Sequence, residues 1–240
     1  MITVVTFDLW NTIFSNMNYD DSRVGYLVEI LNEYGESRDH EEVRDAYIEI
    51  HEYVHQISVD EDYRHVSCLE RLAFILKKLN VDLPRNLKLH IVKTFEKTIL
   101  EEPPPLVNDV KKVLEVLSPY YRMGIISDTG ITPGKVLRLV LEDANVLGFF
   151  KATTFSDETG YNKPHKVMFE TALKSLSGKP SEAIHIGDLL ETDVVGAKSM
   201  GMKVVWFNRD SSGNKNQYVP DFEISKLYEL LDILKEIQNS

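Results

Sequence analysis

Four segments of this sequence hold residues whose types and spacing could do chemistry. Asp8-Leu9-Trp10-Asn11-Thr12 follows the apolar run Ile2 to Phe7, and Ser127-Asp128-Thr129-Gly130 follows another apolar run. Lys163-Pro164 stands ahead of a helical pattern, and Gly187-Asp188 leads through Leu189 to Thr192 into Asp193. If the strands ahead of these segments run parallel, all four meet at one sheet edge, with Asp8, Asp188 and Asp193 together, Asp128 nearby and Lys163 as the cation. Clustered carboxylates raise one another's pKa and cannot all stay charged cheaply. A hard divalent ion relieves them, and Mg2+ accepts one or two carboxylates, several waters and a phosphate oxygen. The Ser127 hydroxyl, nearby amides and the helix start after Thr129-Gly130 suit an anion. A nucleophilic carboxylate, a metal and phosphate donors together suit phosphoryl transfer.

Positioning such groups demands a sheet. Ile2 to Phe7 is β-branched and apolar without alternation, as in a central parallel strand covered on both faces. Beyond Pro103-Pro104-Pro105, strand and helix patterns alternate, with strands over Met123 to Ile126, Ala152 to Ser156, Ala183 to Ile186 and Lys203 to Phe207. Helices are expected over Val107 to Leu117, Gly134 to Asp143, Val167 to Ser177 and Asp193 to Ser199. A short strand near Phe222 and a helix over Leu227 to Ile237 close the pattern, and Ser211 to Asn216 reads as a mobile surface loop. Repeated βα units imply a doubly wound, mostly parallel α/β sheet of Rossmann-like form, whose ligands sit beyond the carboxyl ends of the strands. Between these parts, residues 16–102 show apolar residues at three- and four-residue spacing (Tyr26, Leu27, Ile30, Leu31; Val43, Tyr47, Ile50, Val54; Leu69, Leu72, Leu76; Leu87, Ile91, Phe95). That periodicity predicts a four-helix insertion. The expected division is a core of residues 1–15 and 103–240 with an inserted helical domain of residues 16–102.

In this order, Asp8…Thr12, Ser127, Lys163-Pro164 and Gly187-Asp188…Asp193 resemble the four motifs of the haloacid-dehalogenase-like hydrolase superfamily. The resemblance spans nearly the whole chain, and the insertion falls where many members carry a helical cap. It implies Asp8 as nucleophile and metal ligand, the Trp10 carbonyl as metal ligand, Ser127 on the transferring group and Lys163 as the neutralising charge. Asp188 would bind Mg2+, and Asp193 would bind it or hold its water. Asp128 is read as touching metal or substrate, or as capping its loop. Thr12 is expected to support its loop.

One position departs from the pattern. Phosphatases of the superfamily usually carry a second Asp two residues after the nucleophile, as general acid and base; here it is Trp10. General acid-base help is worth about 10^2 to 10^4 in rate. The leading expectation is a Mg2+-dependent phosphatase acting on a small-molecule phosphate monoester through Asp8. The alternatives are a metal-independent 2-haloacid dehalogenase, which also has an aromatic residue there, and a non-catalytic binder of a phosphometabolite. Asp188 speaks against the dehalogenase, as does the lack of a halide-binding arginine near Asp8, the nearest being Arg23.

Composition narrows the partners. The chain has 240 residues, 43% hydrophobic and 27% charged, with a net charge of -11. That surface repels nucleic acid and anionic membranes, so neither is expected. Met1 to Val5 has no signal-peptide character, and no stretch approaches the roughly 18 apolar residues of a membrane span. The single cysteine, Cys68, permits no internal disulfide and suits a reduced, cytoplasmic setting, with the thiol buried and inert. A monomer or homodimer is expected. His51-Glu52-Tyr53-Val54-His55 matches the zincin signature, with both histidines on one helix face, but has no evident third ligand. His185, inside a strand pattern, is read as a satisfied core histidine.

Overall fold

The computed structural model describes residues 1–211, 213 and 218–239. The surface loop expected over 211–216 lies outside the described residues, apart from Ser211 and Gly213. In chain order the elements are β1 (Val4–Phe7), then α1 (Asp20–Tyr34), α2 (His40–Ile48), α3 (Ile50–Asp60), α4 (Cys68–Lys78) and α5 (Arg85–Lys97). There follow α6 (Val110–Leu117), β2 (Arg122–Ser127), α7 (Gly134–Asp143), β3 (Phe150–Phe155), α8 (Ser156–Thr159) and α9 (Lys166–Ser175). The chain then runs through β4 (Ala183–Gly187), α10 (Val195–Ser199), β5 (Lys203–Phe207), β6 (Phe222–Ile224) and α11 (Leu230–Asn239).

The six strands form one parallel sheet in the order β3-β2-β1-β4-β5-β6. The chain therefore winds outward on one side of β1, then crosses to the other. The crevice left by that reversal, at the carboxyl ends of β1 and β4, is where open α/β sheets bind ligands. Both sheet faces are covered, which is why the strands read as continuous apolar runs. Val5 and Phe7 pack under α6, α7 and α11, through Val113, Leu114, Leu137, Leu141 and Leu230. Val4 and Ile126 pack under α9 and α10, through Phe169, Leu173 and Ala197. Burying each such side chain contributes about 1.5–3 kcal/mol.

The insertion has its own apolar cluster, formed by Leu27, Leu31, Val43, Leu72, Leu76, Ile91 and Phe95 among others. Its helices start on sequence-encoded caps: the Asp39 side chain accepts the Glu42 amide, and Ser67 and Glu70 form a capping box. Gly35 ends α1 in the left-handed region at φ 87°. The stretch read as one helix from Val43 to Val54 is two, α2 and α3, meeting at Glu49. The break lets α2 keep Val43 and Tyr47 in the cluster while α3 stacks Tyr53 on Phe74 of α4, ring centroids 4.6 Å apart. Periodicity alone does not register such a break, because both halves keep apolar residues on the expected face.

Two connections join insertion and sheet, and they run side by side. Ser15 N–H donates to the Pro105 carbonyl at 2.9 Å, and Val107 N–H donates to Ile13 at 2.9 Å. The insertion also touches the loop between α8 and α9 at Arg64, which bridges antiparallel to Tyr161, with His65 N–H on Gly160 and Asn162 N–H on Tyr63. No helix among the described residues is long and apolar enough to cross a membrane.

Candidate active site

Register brings the acidic residues together. Phe7 is level with Ile186 on β4, and the Asp8 amide donates to the Ile186 carbonyl at 2.8 Å, so Asp8 and Asp188 leave neighbouring strands at the same height. Asp193 returns to them through a π-turn, Leu190–Val194, ahead of α10. The helix expected to begin at Asp193 thus begins with a wider turn, a feature frequent at functional sites. The Asp193 side chain accepts the Leu189 amide at 3.1 Å, which points it back under Gly187. One carboxylate oxygen from each of Asp8, Asp188 and Asp193 can be chosen so that all lie within 4.8 Å of one another.

Lys163 closes the group. Its ammonium donates to Asp8 Oδ1 at 2.5 Å and to Asp193 Oδ1 at 2.6 Å, and its amide donates to Asp128 Oδ1 at 2.7 Å. Asp8, Lys163 and Asp193 are buried. Asp188 is more open; its Oδ2 accepts the Asn11 side-chain amide at 3.2 Å, and its carbonyl accepts the Trp206 indole N–H at 2.9 Å.

His185 is a satisfied core histidine, as expected, but it also belongs to the site. Its Nε2 lies 3.0 Å from Asp193 Oδ1 and its Nδ1 lies 2.9 Å from the Thr6 hydroxyl. Burial pushes its pKa below the usual value, so the ring is neutral. A neutral ring facing a carboxylate must donate from Nε2 and accept from Thr6 at Nδ1. No sequence signal marks this role, since it depends on the pairing of β1 with β4.

Charge in the site is unbalanced. Burial raises Asp8 well above the usual carboxylate range, Lys163 opposes this, and Asp193 and Asp188 reinforce it. Burial pushes Asp188 up to about 6, helped by Asp193, and burial likewise pushes Asp128 to about 6. Burial would also raise Asp193, but Lys163 and the hydrogen bond from His185 outweigh it and hold it at about 2. Lys163 stays protonated, because Asp193, Asp8 and Asp128 outweigh the cost of burying it. Four carboxyls thus share one ammonium, which fits a divalent cation. The Trp10 carbonyl accepts no hydrogen bond among the described residues, and Trp10 lines the same cleft.

Above these groups opens a cleft of about 780 Å³. Asp8, Trp10, Asp128, Lys163, Asp188 and Asp193 line it from the sheet side, and the inserted helices supply Arg23, Tyr47, His51 and Arg71. Ser127 ends β2 as expected, but it is fully buried, donates to the Asp128 carbonyl at 3.2 Å and is not among the cleft residues. Thr12 is also fully buried, and its hydroxyl has no partner among the described residues, so no loop-supporting bond is made. His51 reaches the cleft, yet among the described residues no acidic or thiol side chain joins it and His55 in a three-ligand group. Cys68 is buried and its thiol is pushed up to about 12, mainly by that burial, which leaves it inert. Sequence reasoning passed over Arg71, whose cleft position follows from how α4 packs.

Comparison with known proteins gives a consistent set. A family model described as haloacid dehalogenase-like hydrolase matches residues 2–201. A glyceraldehyde 3-phosphate phosphatase of Pyrococcus abyssi is 32% identical over all of this chain and 95% of its own length. Another of that name, from Pyrococcus furiosus, is 37% identical over 54% of each chain. A ribulose-1,5-bisphosphate 5-phosphatase of Halopiger xanaduensis is 28% identical over 98% of this chain and all of its own. Among solved structures, a HAD phosphatase from Thermococcus onnurineus has a TM-score of 0.65 at 25% identity, covering 97% of this chain and 98% of that one. A 2-haloacid dehalogenase from Pseudomonas syringae pv. Tomato, at 22% identity, shares the fold with a TM-score of 0.75 over 98% of this chain and 99% of its own.

Proposed function

This chain belongs to the haloacid dehalogenase-like hydrolase family, and from that premise we propose that it is a Mg2+-dependent phosphatase of a small-molecule phosphate monoester, with Asp8 as nucleophile. The observation that carries the reading is the group of Asp8, Asp188 and Asp193 around Lys163 at the mouth of the cleft. The phosphatase names of the relatives support it.

Asp8, Asp188, Asp193 and the Trp10 carbonyl are the residues that would hold Mg2+. Bound there, the ion would return the raised carboxyls to carboxylate and take up charge from the phosphate. Lys163 fixes Asp8 through Oδ1, while Oδ2 has no hydrogen-bond partner among the described residues and is the atom proposed to attack. Attack forms an Oδ2–P bond and breaks the ester P–O bond, giving an aspartyl phosphate. The Trp10 indole N–H is too weakly acidic to protonate a leaving group, so the departing oxygen takes its proton from solvent. Water then attacks phosphorus, the Oδ2–P bond breaks, and phosphate leaves with Asp8 restored. Lys163 offsets the negative charge on the phosphoryl oxygens through both steps. Ser127 would join them only after turning from the Asp128 carbonyl.

Residues 1–15 and 103–240 are proposed as the catalytic core, with residues 16–102 as a cap whose side chains select the leaving group. The paired segments around Ser15 and Pro105 are its proposed hinge. A sole, buried cysteine accords with a cytoplasmic protein. The dehalogenase reading is weaker, because it leaves Asp188 without a task.

The test is hydrolysis of p-nitrophenyl phosphate with Mg2+ and with EDTA, by wild type and Asp8→Asn. Turnover that needs both Mg2+ and Asp8 is expected. Turnover unchanged by EDTA or by Asp8→Asn sinks the mechanism. Phosphate binding without turnover of any ester turns the reading to a phosphometabolite binder.

A further inference from the structure

The wall that the inserted helices give to the cleft carries two guanidinium groups, Arg23 on α1 and Arg71 on α4, and the proposed mechanism uses neither. Arg23 is buried and partly structural. Its Nε donates to the Phe95 carbonyl and its Nη2 to the Thr132 hydroxyl, each at 3.3 Å. Its ion-pair partner, Asp20 Oδ1, stands 3.9 Å away and already accepts the Tyr47 hydroxyl at 3.0 Å. Arg71 is half-buried, and its Nε donates to the Val66 carbonyl at 3.0 Å. No carboxylate among the described residues lies within the 4.0 Å of an ion pair to it. Glu70, next to it in sequence, is taken by Arg64 at 3.0 Å and by the Ser67 capping box.

This end of the cleft thus holds two cations and one carboxylate, in a chain whose net charge is -11. A guanidinium drawn out of water without an anion is costly, and the cost is recovered when a ligand supplies one. Arginine suits that task because its planar fork grips a carboxylate or phosphate through two bonds.

We infer that Arg71, backed by Arg23, seats a second anionic group of the substrate, a terminal carboxylate or phosphate on the molecule whose phosphate ester meets Asp8. The inference rests on the phosphatase reading and deepens it: the substrate class is a phosphate ester with an acid at its far end. Glyceraldehyde 3-phosphate, uncharged beyond its phosphate, lies outside that class. Contacts to a remote anion are how an enzyme turns binding energy into orientation at the reacting centre.

The experiment is calorimetric titration, in Mg2+, of non-hydrolysable phosphonates. The probes are phosphonoacetate, 3-phosphonopropionate, 4-phosphonobutyrate and propane-1,3-bisphosphonate, each against propylphosphonate, which has the phosphonate and no second acid. At least one probe with a second acid group is expected to bind about ten-fold tighter or better, the value of one good charge-assisted contact. That advantage should collapse in Arg71→Gln and partly return in Arg71→Lys. Preference for the carboxylated probes identifies a carboxylate, and preference for the bisphosphonate a second phosphate. No advantage at any chain length overturns the inference, as does an advantage that survives Arg71→Gln. Should Arg71→Gln fold poorly, the absence of any advantage in wild type still overturns the inference, and Arg71→Lys serves as the second variant. Hydrolysis of p-nitrophenyl phosphate without any anionic preference would overturn this seat alone. An anionic preference lost in Arg71→Gln, in protein that turns over no ester, would keep the seat and overturn the phosphatase reading.

Discussion

A β-carbon placed on Gly187 would lie 2.2 Å from the carboxyl carbon of Asp193. The absent side chain is what lets Asp193 fold back under β4 and reach Lys163, His185 and the Leu189 amide at once. Gly187→Ala must therefore displace Asp193 or the strand end. Activity on p-nitrophenyl phosphate should fall by about 10^2-fold, the scale of misplacing a catalytic group by an ångström. Stability should fall by about 1–3 kcal/mol from overpacking. Wild-type kinetics in this variant would show that the position of Asp193 does not matter.

Lys163 is the one ammonium within hydrogen-bond reach of Asp8 and Asp193 among the described residues. Lys163→Met leaves the buried Asp193 carboxylate without its ammonium partner. Removing one partner of a buried ion pair costs about 3–5 kcal/mol. Thermal melts should show that loss in EDTA and a larger stabilisation by Mg2+ than wild type shows, since the ion becomes the sole counter-charge. Equal Mg2+ responses in both proteins would separate the metal from this cluster.

Asp128 titrates at about 6 in the fold against an ordinary 3.8, chiefly because it is buried. The folded state thus holds this proton more tightly than the unfolded chain does. The stability so contributed is complete below 3.8 and is lost as pH rises through about 6. Asn at this position keeps an acceptor for the Lys163 amide and has no proton to lose. Between about pH 4 and 7, Asp128→Asn should therefore gain on wild type by about 1–3 kcal/mol. Urea unfolding in EDTA at both pH values measures this, and parallel changes in the two proteins would rule it out.

Arg64 and Tyr161 face each other across the contact between the insertion and the loop joining α8 to α9, flanked by the His65 and Asn162 amide bonds. This is the non-hydrogen-bonded kind of antiparallel pair, where Cα atoms stand about 4.5 Å apart and a disulfide fits. The double variant Arg64→Cys, Tyr161→Cys should cross-link on mild oxidation. Turnover should then drop at least about ten-fold and return with reductant, if the inserted helices act as the proposed cap and must lift for release. Full activity of the oxidised form would mean that substrate comes and goes without cap movement.

Trp10 lines the cleft, and in the proposed mechanism no residue gives a proton to the leaving oxygen. Wild type should therefore prefer aryl to alkyl phosphates strongly. Trp10→Asp should raise turnover of an alkyl phosphate by about 10-fold or more, part of the 10^2 to 10^4 that general acid catalysis supplies. A rise confined to aryl esters would point to relief of crowding instead.

The sequence by itself determined the parallel sheet, the run of helices between β1 and α6, and the arrival of acidic residues at one sheet edge. Unbroken β-branched runs specify buried parallel strands, and parallel strands deliver Asp8, Asp128 and Asp188 to one edge whatever the rest of the chain does. Local signals also marked where helices begin, as with Ser67 and Glu70, because a cap acts over three or four residues. Tertiary structure alone decided what depends on packing between distant segments. The pairing of β1 with β4 puts His185 between Thr6 and Asp193. Close packing turns the Ser127 hydroxyl onto Asp128, and it splits one periodic stretch at Glu49. The packing of α1 and α4 into the helical cluster sends Arg23 and Arg71 to the cleft. Periodicity reports which face of an element is apolar, while the neighbour that face meets is set by contacts between residues tens of positions apart.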